Sequence, residues 1–518
     1  MTVLASPPRE RIHVDDAAGL SWRATALAAV GLLLTFAAPQ HRIDLLLIGL
    51  AALLAGAVWS PLSGPLLIGA ALPFFFFSRP LAGPLAVTPP GLALLVSWLA
   101  IAARHRQLRL RWPRTNYDAP LALFLVAALL SLLVTQYPLN SVRELRAVIF
   151  EPVLFFWLLH TLPRSATWAL RGFLTGACVT ALAAIAQRPL GLGGTEAEGV
   201  LRAQAWYPSA NHLALMLGRA WPFLLAAALA HQGFGRKAAG VRATWVWLPT
   251  ALVGLALLLT FSTGGWLGGL AGGLAVIAMV SRRRLAVRAG ALAAAALVLV
   301  SGLAIGGVLP ERLNPLRQTG GFRLDLWLSS LEMLRDHPLL GIGLDNFAYL
   351  YQQVYLRPGA AAEPNLSHPH NWLLQFWLDL GLLGLIAFGW LLFRFARQVW
   401  GNLPLPRATG RAERASSMGA GALSAGAGAS SAGADASSTS EGASSAGEGA
   451  PSARSWLVAG AVGAMADLLV HGALDNSYFL VDLAFVFWLT LALVEPPPTS
   501  VRGLSQGGSP PGNNILSK

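Results

Sequence analysis

Residues 322–384 read FRLDLWLSSLEMLRDHPLLGIGLDNFAYLYQQVYLRPGAAAEPNLSHPHNWLLQFWLDLGLLG. This is the longest part of the chain that is neither wholly apolar nor low in complexity. Its first half has the pattern of an amphipathic helix. Leu324, Trp327, Leu328, Leu331 and Leu334 fall on one face at helical spacing, and Asp325, Ser329, Glu332 and Asp336 form the opposite stripe. Pro338, Gly341 and Gly343 end it. The spacing predicts a helix over 322–336 lying along a membrane surface, its leucine face against the lipid. The second half opens a new apolar helix. Pro369 suits a first helical turn, which places His370 at a helix N-terminus. The helix dipole there disfavours positive charge on the imidazole. A histidine so placed at a membrane boundary has the chemistry of a general base.

Composition sets the class. Of 518 residues, 55% are hydrophobic and only 12% are charged, against about 25% charged in an average soluble domain. The chain reads as an all-α polytopic membrane protein, because open strands leave backbone groups unsatisfied in lipid. About fourteen apolar segments are legible, near 22–38, 43–60, 65–78, 86–103, 119–135, 147–162, 166–187, 210–230, 244–261, 264–280, 289–309, 371–393, 456–472 and 478–494. Several fall short of the roughly 20 residues that span a bilayer, 65–78 and 147–162 above all. The expectation is therefore 12–14 transmembrane helices.

The net charge of +13 is spread in short clusters between apolar segments. That is the positive-inside pattern, with anionic lipid as its partner and no nucleic acid. The clusters are five arginines in 104–114, Arg236, Lys237 and Arg242, SRRRLAVR at 281–288, and Arg394 to Arg414. With both termini inside, all four fall on the cytoplasmic side, and loops 188–209 and 310–370 face out. The expected organisation is a cytoplasmic tail over 1–20, a transmembrane bundle over 21–309, an extracytoplasmic loop with short helices over 310–370 and a transmembrane helix over 371–395. A flexible cytoplasmic linker over 396–455 follows, then transmembrane helices over 456–494 and a disordered tail over 495–518. The linker is almost entirely Ala, Gly and Ser across 415–453. The single cysteine, Cys178, excludes an intrachain disulfide and a cysteine metal cluster.

The polar residues on the expected outer face are Arg202, Arg323, His370, His471 and Asp475. Each has a plain structural reading. An arginine beside a membrane helix snorkels to headgroups. A histidine at a helix start is an ordinary polar cap residue. His471 and Asp475, at i and i+4, fit a local hydrogen-bonded pair. Asp379, inside an apolar helix, fits pairing with a neighbouring helix. His368 and His370 have an H-x-H spacing, but no carboxylate or cysteine cluster accompanies them in sequence, so no metal is expected. Taken together, two arginines and a histidine on one face suit a phosphate leaving group and a hydroxyl acceptor. Guanidinium groups bind phosphate oxygens bidentately and offset charge as the bond breaks.

At HNWLLQFWLDLGLLG the sequence resembles the O-antigen ligase and polymerase superfamily of bacterial membrane glycosyltransferases. The pattern is His-Asn, nine residues, Gly, two residues and a small residue, met by His370, Asn371, Gly381 and Gly384. Upstream, Arg323, Trp327, His337, Pro338, Leu339, Gly341, Gly343, Asn346 and Phe347 resemble the family's arginine, tryptophan, His-Pro-Leu and glycine loop ending in Asn-Phe. HGALDNSYFLVDLAFVFWL resembles its closing His-Gly and Asp element, and RAQAWYPSANHLALML its arginine stretch before a central helix. Where the family carries Ser-Arg, this chain carries Ser262-Thr263.

The resemblance implies an inverting, metal-independent transfer without a cofactor. A glycan on undecaprenyl pyrophosphate would pass to an acceptor hydroxyl of a glycan, lipid or protein at the outer face of the cytoplasmic (inner) membrane. It implies His370 as base and Arg323 and Arg202 as pyrophosphate ligands, with Asp475 in the catalytic set and Asn371 and His337 at the substrate. Within the superfamily, the ligase, polysaccharide polymerase and protein O-oligosaccharyltransferase readings stay open. A transporter using Asp379, His471 and Asp475 is the reading of another class, but the chain shows neither the internal repeats nor the paired broken helices common in transporters. A non-catalytic membrane scaffold is the third.

Overall fold

The computed structural model describes residues 19–82, 85–104, 114–197, 200–234, 245–280, 288, 290, 319–361, 364–402 and 455–495. The apolar segment 289–309, most of the linker and of both termini, and much of the first three basic clusters lie outside the described residues. The chain is an all-α polytopic membrane protein, as its composition demands. Among the described residues, five helices are long and apolar enough to cross a bilayer, and seven shorter apolar helices join them. Leu33, Leu47, Leu99, Leu133 and Leu258 are more than half exposed. Such apolar surface is what lipid covers.

In chain order the helices are α1 (Trp22–Ala37), α2 (Ile43–Trp59), α3 (Ser63–Ala71), α4 (Pro89–Ala103), α5 (Asp118–Ser131), α6 (Pro138–Glu144), α7 (Glu151–Thr161), α8 (Ser165–Leu190), α9 (Ala210–Phe234), α10 (Trp247–Leu259), α11 (Thr263–Val280), α12 (Thr319–Asp336), α13 (Phe347–Leu350), α14 (Trp372–Asn402), α15 (Ser455–Gly472) and α16 (Val481–Val494). The two insecure segments are the irregular ones. Residues 65–78 give the nine-residue α3 and a 3₁₀ turn, and 147–162 gives a π-helical turn followed by α7. Sequence periodicity did not show two short antiparallel hairpins, β1 (Arg79–Ala82) with β2 (Leu85–Val87) and β3 (Thr195–Ala197) with β4 (Val200–Arg202). Within each, the facing edges of the two strands pair antiparallel.

Helix α9 is the most enclosed of the long helices and packs on α8, α10, α11 and α15. Small residues set the closest approaches. Gly264 and Gly268 of α11 lie against the His471 ring and Cβ of α15, the close packing that small residues allow between membrane helices. The FSTGGWLGG stretch is thus a packing surface for α15.

Segment 319–361 forms a second core with the first half of α14, through Leu326, Met333, Leu334, Ile342, Phe347, Leu350, Tyr351, Leu374 and Leu378. Helix α12 extends over the expected span. Its Leu324, Leu328 and Leu331 stay exposed, free to meet lipid or solvent. The expected polar stripe is only partly outward. Asp325 and Glu332 pair with Arg357, but Ser329 is fully buried and donates to the Tyr355 carbonyl at 2.7 Å. Hydrophobic spacing alone does not register that a serine can be buried once its hydroxyl has a backbone acceptor.

The glycine loop clasps α14. At Gly381 the helix breaks, with φ 70° and ψ −177°. The loop fills the gap with two backbone bonds, Leu382 N–H to the Leu339 carbonyl at 2.9 Å and Ile342 N–H to the Leu378 carbonyl at 2.7 Å. A Cβ at Gly381 would collide with the Leu339 carbonyl oxygen, and φ there lies in the left-handed region. Gly381→Ala should therefore cost at least about 1–3 kcal/mol, read as a lower midpoint of thermal unfolding in detergent. An unchanged midpoint would show that the clasp adapts freely.

Candidate active site

The loop after the clasp begins with Asp345, itself left-handed at φ 55°. Asn346, fully buried, locks it. Its Oδ1 accepts from Gln136 and Tyr137 N–H, and its Nδ2 donates to Thr135, Ser141 and the Leu344 carbonyl. The chain then returns to the start of α14. Trp327 of α12 donates to the Pro369 carbonyl at 3.1 Å, fixing the loop just before His370.

The helix start differs from the sequence expectation. Helix α14 begins at Trp372, and Asn371 caps it, its Oδ1 accepting from Leu373 N–H at 3.0 Å and Leu374 N–H at 3.2 Å. Its Nδ2 donates to the Ala473 carbonyl at 3.2 Å. His370 lies outside the helix in a left-handed conformation, φ 49°. A non-glycine residue held there is a strained position of the kind found at functional sites. Pro369 precedes the helix instead of occupying its first turn.

Three expected and unexpected residues meet at one oxygen. His370 Nδ1 lies 2.8 Å and His368 Nε2 3.2 Å from Asp475 Oδ1, and Asn476 N–H donates to the same atom at 2.8 Å. Asp475 is not paired with His471, because α15 ends at Gly472 and the carboxylate turns away on the 473–480 loop. His471 is fully buried, and its ring nitrogens have no hydrogen-bond partner among the described residues. Burial raises the Asp475 carboxyl, but the hydrogen bonds from the two histidines outweigh it and hold the group well below the usual carboxylate range. Burial, then the neighbouring His370, pushes His368 down to about 4. The arrangement is a carboxylate accepting from two imidazoles. With Asp475 an acceptor, His370 carries its proton on Nδ1 and presents Nε2 as a base. His368 carries its proton on Nε2, and its Nδ1 accepts from Ser367 Oγ–H at 2.9 Å.

Arg323 is half-buried on α12 and close enough to Asp475 to feel its charge. Burial lowers its guanidinium and Asp475 partly raises it again. No hydrogen bond or ion pair holds that guanidinium among the described residues. Arg202, on β4, donates to the Thr260 carbonyl at 2.8 Å and to Asn211 Oδ1 at 2.6 Å. It joins the cluster through the next residue, His212, whose ring is 6.5 Å from that of His368. His337 is half-buried at the end of α12, and no hydrogen bond joins its side chain to the cluster among the described residues.

Sequence reading missed the support beneath the site. Arg219 of α9 and Asp467 of α15 form an ion pair that is at most 2% exposed. Arg219 also donates to Ser477, through Oγ at 2.8 Å and the carbonyl at 3.1 Å. It thereby anchors the loop that carries Asp475. Ionisable residues of opposite sign in two apolar segments were the available signal. His212 was equally legible inside SANHL, but nothing in the sequence placed it beside His368.

Three of these residues, His368, His370 and Asp475, offer ligand atoms within 4.8 Å of one another, close enough to bind a metal ion. Two N–H donors on one carboxylate oxygen account for the same spacing by hydrogen bonding alone.

Residues 248–389 match the family model described as O-Antigen ligase. This bears out the resemblance over a region that contains Arg323, His370, Asn371, Gly381 and Gly384, and excludes Arg202 and Asp475. A protein of Rickettsia conorii described as "Putative polysaccharide ligase" is 30% identical over 94 residues, 18% of this chain and 23% of that protein. One of Rickettsia felis with the same description is 29% identical over 94 residues, again 18% and 23%. The chain spans about a quarter of the length of these curated relatives.

Proposed function

We propose, with the O-antigen ligase match as premise, that this membrane protein transfers a glycan from undecaprenyl pyrophosphate to an acceptor hydroxyl. The reaction takes place at the extracytoplasmic face of the cytoplasmic membrane. The observation that carries the reading is the hydrogen bond from His370 Nδ1 to Asp475, which leaves Nε2 to accept a proton. The acceptor oxygen attacks the anomeric carbon as its proton passes to His370 Nε2. The bond from that carbon to the pyrophosphate oxygen breaks, and its electron pair leaves with the phosphate. The configuration inverts in this single displacement. Asp475 stabilises the imidazolium. Arg323 meets the charge that grows on the leaving group, and Arg202 binds the pyrophosphate from the hairpin. Asn371 positions His370 by capping α14. In the ligase form the hydroxyl belongs to a lipid A core glycan; in the polymerase and protein forms it belongs to another glycan or to a protein.

The test is transfer from purified lipid-linked glycan by the full-length protein in detergent, with chelator present. Arg323→Lys keeps the charge but loses the planar fork. It should lower kcat by about a hundredfold or more, the range for removing one contact to transition-state charge. Wild-type activity in that variant would remove the bidentate role. A wild-type protein that never consumes the donor would overturn the function itself.

A further inference from the structure

We infer that the cavity behind His368 holds one hydroxyl-rich sugar ring of the acceptor, apart from the pyrophosphate, an inference that rests on the glycan-transfer reading above. The cavity measures about 200 Å³ and is lined by Glu144, Asp345, Gln375, Asp379, His368 and His212, among others. It is smaller than the roughly 300–1,000 Å³ of a drug-sized ligand pocket, so it suits one ring and not a whole oligosaccharide.

Its wall is built from buried polar groups. Gln375 is 6% exposed, Asp379 3% and His368 7%. The Gln375 Oε1 and the His212 Nδ1 are buried and have no hydrogen-bond partner among the described residues. Buried polar atoms left without partners are costly, and a ligand that supplies the missing partner removes the cost. A sugar ring does so, since every hydroxyl both donates and accepts.

Charge separates this cavity from the donor site. Three carboxylates face one guanidinium, Arg143, which is already bound to Asp345 at 3.1 Å. With that guanidinium committed, the described lining offers no free cation to pyrophosphate, whose cationic partner is Arg323. Burial, then the nearby Asp345, pushes Glu144 up to about 8, and burial also raises Asp345. Protonated carboxyls donate as well as accept, which matches the two-way chemistry of hydroxyls. Phe347 and Phe479 supply apolar wall for the face of a ring. The His368 and His370 rings are 4.2 Å apart, so a sugar seated against His368 lies next to the base.

The experiment uses methyl glycosides of glucose, galactose, mannose and N-acetylglucosamine as probes, with full-length protein in detergent. Binding is read by saturation-transfer NMR and titration calorimetry, without any transfer reaction. At least one probe should bind saturably. Gln375→Leu and Glu144→Leu should each weaken it about tenfold, the loss of one hydrogen bond to an amide or carboxyl, while affinity for undecaprenyl pyrophosphate stays constant. The two residues sit on different elements, so if one variant fails to fold the other still leaves a test. The inference is overturned if no probe binds the wild type, if the variants bind every probe as the wild type does, or if they weaken undecaprenyl pyrophosphate instead. Sodium or calcium binding that excludes the glycosides would overturn it as well. A protein that binds glycosides in this cavity but consumes no lipid-linked donor would overturn the transfer reading alone.

Discussion

Replacing His370 by alanine should lower glycan transfer about 100- to 10,000-fold, the usual contribution of a general base, while the protein should stay in the membrane at its normal level. The acceptor hydroxyl does not ionise near neutral pH, so its proton must leave as the new bond forms. In the proposed reaction Nε2 of His370 takes it, because Nδ1 is committed to Asp475 at 2.8 Å. The left-handed backbone at this position, φ 49°, is a strain that alanine shares, so the substitution removes the imidazole without adding a new conformational demand. Transfer from purified lipid-linked glycan, with chelator present, is the measurement. Full activity would end the base assignment. Activity lost to chelator and restored by a divalent ion would make His368, His370 and Asp475 a metal site.

Asp475→Asn should be as damaging, lowering kcat by about 10⁴-fold, the loss seen when the carboxylate of a serine-protease triad becomes an amide. The side chain keeps its size, but an amide N–H can face the histidines where only an acceptor stood. His370 would then turn its unprotonated nitrogen to the amide and carry its proton on Nε2, where it cannot act as a base. The imidazolium formed in the reaction would also lose its counter-charge. Because Asn476 N–H, His368 and His370 share one oxygen, the change is felt at both rings. The prediction fails if Asp475→Asn retains activity within threefold of wild type while a spectroscopic probe shows both histidines in their original tautomers.

Much of this was legible in the chain because apolar segments of a membrane protein announce themselves. The class, the helix of 322–336 and, as separate candidates, His370 and Asp475 could all be read from sequence. The meeting of His370 with Asp475 is a contact across 105 residues, and no local periodicity encodes it. His471 drew Asp475 towards a local pair, since i and i+4 is a helical neighbourhood. The end of α15 at Gly472 cancels that spacing. Pro369 gave a plausible helix start, but the Asn371 side chain took the capping role. Arg219 and Asp467 stood out in their apolar segments, but nothing local paired residues 248 apart, and the cavity was hidden by the number of elements that enclose it. The hairpins escaped because three- and four-residue strands leave no period to detect.

The break at Gly381 also divides the labour of α14. As one straight rod its 31 residues would reach about 46 Å at 1.5 Å per residue, well beyond a hydrocarbon core of about 30 Å. Divided at the glycine, the half from 382 to 402 matches that thickness alone. The half from 372 to 380 belongs mechanically to the clasping loop and carries the capped end next to His370. A thinner or thicker bilayer is then met by tilt of the second half, with the glycine as the joint. The distance between His370 and Asp475 is held by loop and cap, so the geometry of the candidate site is insulated from hydrophobic mismatch.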